Sequence, residues 1–285
     1  MNVMSYKSIF VGPIFSSSAE EKGPCEAMSR YAIEFAAAQG AHLSIVVGCI
    51  RLSAPAAVMV REAQALLSKA NDERRSQAQT FGDELVARAR AAGVSASLDV
   101  DQKDYGHLST RLAHAARLGD VSIMEADAGN VSLHEGLLQE VLFESGRPVI
   151  VLPPDWSGAA KVSKAIVSWD GSAKAARALG DAMPLLKHAN EVEIVSISGD
   201  PDAAKRVDAA DIAPHVSRHC RKVSVTSLPS QGGDVAATLS AHAKLTRADM
   251  IVMGAFARTK WRQLILGGVT SSMISAPPCP VLMSY

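Results

Sequence analysis

The sequence predicts an α/β protein made of two doubly wound domains, each with a five-stranded parallel sheet. Short β-rich segments alternate with longer segments that have helical periodicity. The order β-α-β-α-β-α-β-α-β occurs twice along the 285 residues, and Pro153-Pro154 separates the two copies. Strands that are joined by helical crossovers pair in parallel and carry helices on both faces of their sheet.

In the first half, the predicted strands are short apolar or alternating runs, and the predicted helices have apolar residues at helical spacing. Gly40 and Gly93 are suitable ends for the first two helices, because glycine readily adopts the left-handed conformation that follows a helix. The predicted strands are 8–11, 43–49, 94–100, 121–124 and 149–152, and the predicted helices are 25–39, 56–92, 107–117 and 133–143.

The second half repeats this order after Pro153-Pro154 and also resembles the first half in sequence. Each half ends with a short helix, a turn, and a proline before an apolar strand, GRPVIVL in the first and PCPVLM in the second. One duplication explains these matches, so we expect a tandem repeat with domains at 1–154 and 160–285. The predicted strands are 165–169, 192–197, 223–228, 250–253 and 281–283, and the predicted helices are 173–186, 202–220, 234–245 and 269–275.

Composition excludes several classes of protein. The chain has 29 basic and 29 acidic residues, whereas nucleic-acid binding usually needs a basic excess, so we expect no nucleic-acid partner. The four cysteines form no CxxC pair, which argues against a zinc ribbon or a disulfide scaffold. No apolar run is long enough to span a bilayer. We therefore expect a cytoplasmic protein that has no membrane partner.

The candidate site lies in the second half. Ligands of parallel α/β sheets bind beyond the carboxyl ends of the strands where the strand order reverses, which points to the loops after the first and fourth strands. The first of these loops contains Asp170, and the second runs from Gly254 to Thr270. Gly267-Gly268 directly precedes a predicted helix, whose amides and dipole favour an anion. Positive charge in this loop comes from Arg258, Lys260 and Arg262.

Ordinary structural roles explain the same residues. Glycines often open helices and form turns, Asp170 is a suitable N-cap for the helix that follows it, and the basic residues form a solvated loop face. Neither explanation excludes the other at this point.

The spacing of these residues resembles the nucleotide signature of the universal stress protein family. That signature is Gly, two residues, Gly, nine residues, Gly, and then Ser or Thr. Gly254 and Gly267 match it, whereas Ala257 replaces the second glycine and Gly268 replaces the hydroxyl residue. Thr270 lies where the family has a further Ser or Thr. The chain is similar to the tandem members of this family, most clearly in its C-terminal half.

The resemblance implies a fold like that of the adenine nucleotide alpha hydrolases and a role in stress response or signalling. It implies that ATP or AMP binds in the C-terminal domain, with the base and ribose at Asp170 and Ile197 and the phosphates at backbone groups and Thr270. It also implies a homodimer that forms through the final strand at 281–283, and slow ATP hydrolysis as in some relatives. The implied nucleotide-binding residues are Asp170, Ile197, Met253, Gly254, Ala257, Arg258, Gly267, Gly268, Val269 and Thr270.

The first half lacks the corresponding residues. Gly12-Pro13 follows its first strand without an acidic residue, and Glu125 and Asp127 follow its fourth strand, where their charge would repel phosphate. We expect this half to bind no nucleotide and to serve as a packing partner.

Two other functions stay open. One is an interaction or regulatory protein that acts through dimerisation and binds no nucleotide, so that Ala257 and Gly268 mark a lost site. The other is a zinc-linked weak ATPase that uses Asp211, His215 and His219, which recur at i, i+4 and i+8 along a predicted helix. P-loop, GxGxxG, GxSxG and HExxH motifs do not occur in the sequence, so support for an enzyme is weak.

Overall fold

The computed structural model describes residues 5–15, 25–53, 61–126, 133–198, 207–260 and 263–285, some of them by backbone alone. Within these ranges the protein has one continuous eleven-stranded sheet, a separate two-stranded hairpin, and helices on both faces of the large sheet. The α/β class is therefore as the alternating pattern predicts.

In the first half, the predicted elements occur in the predicted order. The first predicted strand is interrupted, because Ser8–Val11 (β1) and Ile14–Phe15 (β2) both pair with His42–Ile50 (β3) in a single register, Ser8 with His42 and Ile14 with Gly48. Gly12-Pro13 lies at the interruption, where proline cannot donate to a strand ladder. The strands are β1 Ser8–Val11, β2 Ile14–Phe15, β3 His42–Ile50, β4 Ala96–Lys103, β5 Val121–Glu125 and β6 Val149–Leu152, and the helices are α1 Glu26–Gln39, α2 Arg61–Ala91, α3 Tyr105–Arg117 and α4 Leu133–Glu144.

The second half contains two paired strands where the sequence predicts a loop. The strands Ala257–Lys260 (β11) and Gln263–Leu266 (β12) pair in antiparallel orientation, with Ala257 opposite Leu266. The described part of the predicted helix 202–220 begins at Ala209 and ends at Ser217. The strands are β7 Lys164–Ser168, β8 Glu191–Ser198, β9 Val223–Pro229, β10 Met250–Gly254, β11 Ala257–Lys260, β12 Gln263–Leu266 and β13 Val281–Ser284, and the helices are α5 Ala173–Leu186, α6 Ala209–Ser217, α7 Val235–Thr246 and α8 Gly268–Ser275.

The two halves have the same strand order. The sheet runs β4-β3-β1-β5-β6 in the first half and β9-β8-β7-β10-β13 in the second, with parallel pairing inside each half. In both halves the first strand lies centrally between the second and the fourth, as in a doubly wound fold. The prediction of two such parallel sheets in tandem is confirmed.

Antiparallel pairing of β6 with β13 joins the two sheets. Val151 pairs with Val281 and Val149 pairs with Met283, so the halves are related by a pseudo-twofold axis at this junction. The other edge of β13 pairs with β10. The final strand is therefore used inside the chain, and this internal pairing replaces the expected homodimer contact through 281–283.

A repeated polar contact ties the first strand of each half to the segment before the fourth. The carboxylate of Asp120 accepts two N–H groups at the start of β1, at 2.6 and 2.9 Å, and the Asp120 N–H donates to the Ser8 carbonyl. Asp249 accepts two N–H groups at the start of β7, at 2.8 and 2.7 Å, and its own N–H donates to the Lys164 carbonyl. This identical local arrangement supports duplication independently of the sequence similarity.

Two helical layers bury the sheet, and each layer extends across both halves. Helices α1, α2, α5 and α6 pack on one face, and helices α3, α4, α7 and α8 pack on the other. The connection between the halves is held to α1, because the Arg30 guanidinium donates to the carbonyls of Trp156 and Gly158 at 2.7 and 3.0 Å. Among the described helices, none combines the length and the hydrophobicity that crossing a membrane requires.

Candidate functional site

A cleft of about 250 Å³ opens beyond the carboxyl ends of β7 and β10. These are the first and fourth strands of the second half, which are neighbours at the point where the strand order reverses. The structure thus brings Asp170 and the segment around Gly254 and 267–270 to one place, as the sequence predicts. The residues that line the cleft are Ser168, Asp170, Val235, Met253, Gly254, Phe256, Gly267, Gly268, Val269 and Thr270.

Helix α8 begins at this cleft without a side-chain cap. Its N-cap is Gly267, whose carbonyl accepts the first helical N–H, that of Ser271, at 3.0 Å. The three amides before Ser271, those of residues 268–270, precede this first bond and have no intrahelical acceptor. Together with the positive end of the helix dipole, such amides form a typical anion site.

Phe256 is bound to the start of α8 by two hydrogen bonds. The Gly267 N–H donates to the Phe256 carbonyl at 2.9 Å, and the Phe256 N–H donates to Oγ1 of Thr270 at 2.9 Å. The Thr270 side chain is buried. The hydroxyl expected at a phosphate therefore has a structural contact, which fixes the end of β10 against the helix.

Gly254, the first glycine of the signature, and Gly268, which replaces its hydroxyl residue, differ in what surrounds them. A Cβ atom at Gly254 would lie 2.6 Å from the carbonyl carbon of Lys174 and 2.7 Å from the amide nitrogen of Ala175. The backbone of α5 therefore requires glycine at position 254. A Cβ atom at Gly268 would meet nothing within 4 Å. The replacement of the hydroxyl residue by glycine thus leaves open space at the cleft.

The acidic wall of the cleft is Asp170, which is exposed. Its Oδ1 accepts the N–H of Ser172 at 3.0 Å, and the Ser172 Oγ accepts the N–H of Ala175 at 3.1 Å. The N-cap of α5 is therefore Ser172, and the alternative that Asp170 caps this helix is wrong.

A cation that the sequence analysis does not single out lies next to this wall. The Lys174 ammonium is 3.8 Å from the centre of the Tyr285 ring and 4.9 Å from the centre of the Phe256 ring. Partial burial lowers the pKa of Lys174, and the negative charge of Asp170 opposes that shift. A lysine in the first turn of a helix gives no recognisable signal, since that position favours acidic residues.

Residues 161–284 match the model of the universal stress protein family. The C-terminal half is a universal stress protein domain. A universal stress protein from Archaeoglobus fulgidus DSM 4304 has a similar fold over 97% of both chains, with 19% identity and a TM-score of 0.69. A functionally unknown protein from Pseudomonas aeruginosa PAO1 is similar over 98% of this chain and 92% of its own, with 14% identity and a TM-score of 0.57. No curated protein sequence matches this chain.

One predicted site residue of the universal stress protein domain, Ile197, is not among the described residues that line the cleft. Ile197 is half-buried on β8, where it pairs with Leu228 of β9. Ala257 and Arg258 both belong to β11, and for both of them the backbone alone is described. Arg262 lies outside the described residues. Val235, the first residue of α7, lines the cleft instead, and its place follows from the packing of α7 beside α8.

The proposed zinc ligands of this domain do not share a helix face. Helix α6 ends at Ser217, so His219 lies beyond it, and the rings of His215 and His219 meet edge to face at 5.2 Å. In the described part of the chain, no three His, Cys, Asp or Glu side chains come close enough to hold a metal ion. The prediction that Asp211, His215 and His219 follow one helix face is therefore wrong.

In the corresponding region of the first half, a tyrosine side chain lies beside the helix that corresponds to α8. Glu125 ends β5 where Gly254 ends β10, and Tyr105 begins α3 where Val235 begins α7. The Tyr105 hydroxyl lies against Gly136 of α4, the helix that corresponds to α8. Asp127, which the sequence analysis also considers, lies outside the described residues.

Proposed function

We propose that the universal stress protein domain binds an adenine nucleotide, ATP or AMP, in the cleft between Asp170 and the start of α8. In this proposal the protein is a stress-response or signalling module that responds to this ligand. The observation that carries the proposal is the set of uncapped amides at 268–270 in a cleft that Asp170 also lines.

Each part of a nucleotide has a complementary surface. The amides of residues 268–270 donate to phosphate oxygens, and Arg258 adds positive charge. The Asp170 carboxylate accepts from ribose hydroxyls or from the amino group of the base. Met253 and Val235 provide apolar walls for the base. Ile197 and the backbone of Gly254, Ala257 and Gly267 complete the site that the family resemblance implies.

The space available supports the same proposal. A second cleft of about 420 Å³ adjoins the first and shares Val235, Gly268 and Val269 with it. Ligand pockets usually measure about 300–1,000 Å³, so the two clefts together have the size that a nucleotide with its phosphates needs.

We further propose that the first half binds no nucleotide and acts as a packing partner. Glu125 places an acidic residue where Gly254 lies in the other half, and Tyr105 fills space beside α4. Both features disfavour a phosphate, the first by charge and the second by volume.

An interaction module without a nucleotide is the second candidate. It is favoured by the hydrogen bonds that engage the Gly267 amide and the Thr270 hydroxyl with Phe256, since both groups are expected phosphate donors.

Titration calorimetry of the full chain with ATP and with AMP tests the proposal. A pair of variants at one residue makes the test specific for the amides. Gly268→Pro removes one N–H at the first helical position, where proline is favoured, and Gly267 has the extended conformation (φ −66°, ψ 145°) that proline requires before it. Gly268→Ala is the matched control, because it retains the N–H and its Cβ meets open space.

We expect one nucleotide per chain and binding that is about tenfold or more weaker in Gly268→Pro than in Gly268→Ala, as for the loss of a hydrogen bond to a charged group. If the unaltered protein binds neither ATP nor AMP at millimolar concentration, the interaction module is the better explanation. Equal affinities of the two variants would show that the amides of α8 are not the phosphate site.

A further inference from the structure

One lysine side chain lies against two aromatic rings, of which one, Phe256, lines the cleft. The Lys174 ammonium lies over the rings of Tyr285 and Phe256, both of which are partly exposed. The Tyr285 ring in turn packs edge to face on Phe143 of α4, with ring centres 4.8 Å apart. The Tyr285 ring thereby contacts both a residue of the first half and the Lys174 ammonium.

The Phe256 ring connects this ammonium with the start of α8. The Phe256 ring contacts the ammonium on one side, and its Cδ1 lies 3.2 Å from the position of a Cβ at Gly267, the N-cap of α8. The backbone of Lys174 also touches Gly254, a lining residue. A single aromatic ring therefore separates a positive charge from the uncapped amides.

A lysine side chain can turn towards a bound ligand, because its charge lies at the end of a flexible four-carbon chain. Its ammonium group has three hydrogen-bond donors. A cation–π contact at a partly exposed site is weak compared with a charge-assisted hydrogen bond to phosphate. When a phosphate occupies the start of α8, the ammonium therefore gains by turning from the rings towards it.

We propose that Lys174 increases the preference of the cleft for phosphate-bearing adenine nucleotides over the nucleoside. This inference rests on the proposed function. The amides of 268–270 orient the phosphate, and Lys174 supplies the charge that a nucleoside cannot use. Partial burial, which lowers the pKa of Lys174, reflects the reduced hydration that strengthens such a contact.

The experiment compares the affinities of the full chain for ATP and for adenosine by titration calorimetry. The variants are Lys174→Gln, which removes the charge, and Lys174→Arg, which retains it. The control is Lys161→Gln, which removes the same charge from an exposed residue of the connection between the halves. Thermal melts of all four proteins establish that each one is folded.

We expect Lys174→Gln to bind ATP about five- to tenfold more weakly and adenosine with unchanged affinity, as for one partly exposed charge-assisted contact. Lys174→Arg is expected to regain most of the ATP affinity, and Lys161→Gln is expected to match the unaltered protein with both ligands.

Three results would overturn the inference in distinguishable ways. An unchanged ratio of ATP to adenosine affinity in Lys174→Gln contradicts the role of Lys174 and leaves nucleotide binding intact. An equal loss for both ligands shows that Lys174 acts through the structure of the cleft and not through its charge. Failure of the unaltered protein to bind either ligand removes the proposed function together with this inference.

Discussion

A methyl group at position 254 should separate α5 from the sheet. A Cβ atom there would lie 2.6 and 2.7 Å from two backbone atoms of α5, at Lys174 and Ala175. Backbone atoms of a helix move only when the helix moves, whereas the end of a flexible side chain can turn aside. Gly254→Ala therefore requires a shift of the first turn of α5 away from β10.

The cost follows from this geometry. Overpacking by one methyl group costs about 1–3 kcal/mol, and rigid backbone neighbours place this site near about 3 kcal/mol. Replacing glycine also lowers the conformational entropy of the unfolded chain, which stabilises the folded protein by about 0.4–1 kcal/mol. The net loss is about 2 kcal/mol, and at about 2–4 °C per kcal/mol for a chain of this size the Tm falls by about 4–8 °C.

Thermal melts followed by circular dichroism, with urea denaturation as a second measure, test this value. Gly268→Ala is the matched control, because it adds the same methyl group to the same cleft in open space. Its Tm should stay within about 1 °C of the unaltered protein or rise slightly. A Gly254→Ala variant as stable as this control would show that close packing with α5 does not fix the residue at 254.

Three further substitutions and one labelling experiment test the fold. Asp120→Ala and Asp249→Ala should each lower the free energy of unfolding, measured in urea, by about 1–3 kcal/mol. Each substitution removes a carboxylate that accepts two backbone N–H groups. An effect at one site alone would contradict the equivalence of the two contacts. His242→Leu should cost a similar amount of about 1–3 kcal/mol, since it removes a donor 3.0 Å from the buried Glu193 carboxylate, and an unchanged melt would refute this. Burial raises the pKa of Cys279 to about 12, so alkylation of the native protein at pH 8 should be much slower than that of the unfolded chain, and equal rates would refute burial.

The raised pKa of Cys279 also makes the free energy of unfolding depend on pH. The folded state favours the neutral thiol. The stabilisation that this preference gives is therefore fully present below the pKa of an unfolded thiol, about 8.5. The contribution is lost as the pH rises from there towards about 12. Urea denaturation at pH 8 and at pH 10 should show lower stability at the higher pH, and Cys279→Ala should reduce that difference.

The strand order and the place of the cleft could be predicted because both follow from periodicity and chirality. Helical crossovers impose parallel pairing, and a parallel sheet with helices on both faces reverses its strand order once. Asp170 and Gly254 follow the two strands at that reversal, so their proximity follows from the connectivity alone.

The rest depends on contacts between segments that are distant in sequence. Asp170 and Ser172 are both good capping residues, and only the position of Ala175 decides which of them caps α5. The Thr270 hydroxyl accepts the Phe256 N–H, and no Asn-Gly or Asp-Gly pair at this point of the sequence announces the pairing of β11 with β12 that follows Phe256. Asp211, His215 and His219 keep a spacing of four residues in the sequence, but helix α6 ends at Ser217, before the last of them.

The antiparallel pairing of β6 with β13 joins two halves of one chain, so the two sides of this junction can differ in sequence. In a pair of identical chains, every substitution acts on both sides of the symmetry axis, so a change that closes one pocket closes the other. Here the corresponding positions are encoded separately, as Glu125 and Gly254 or as Tyr105 and Val235. A substitution in the first half can therefore occur without closing the cleft of the second half.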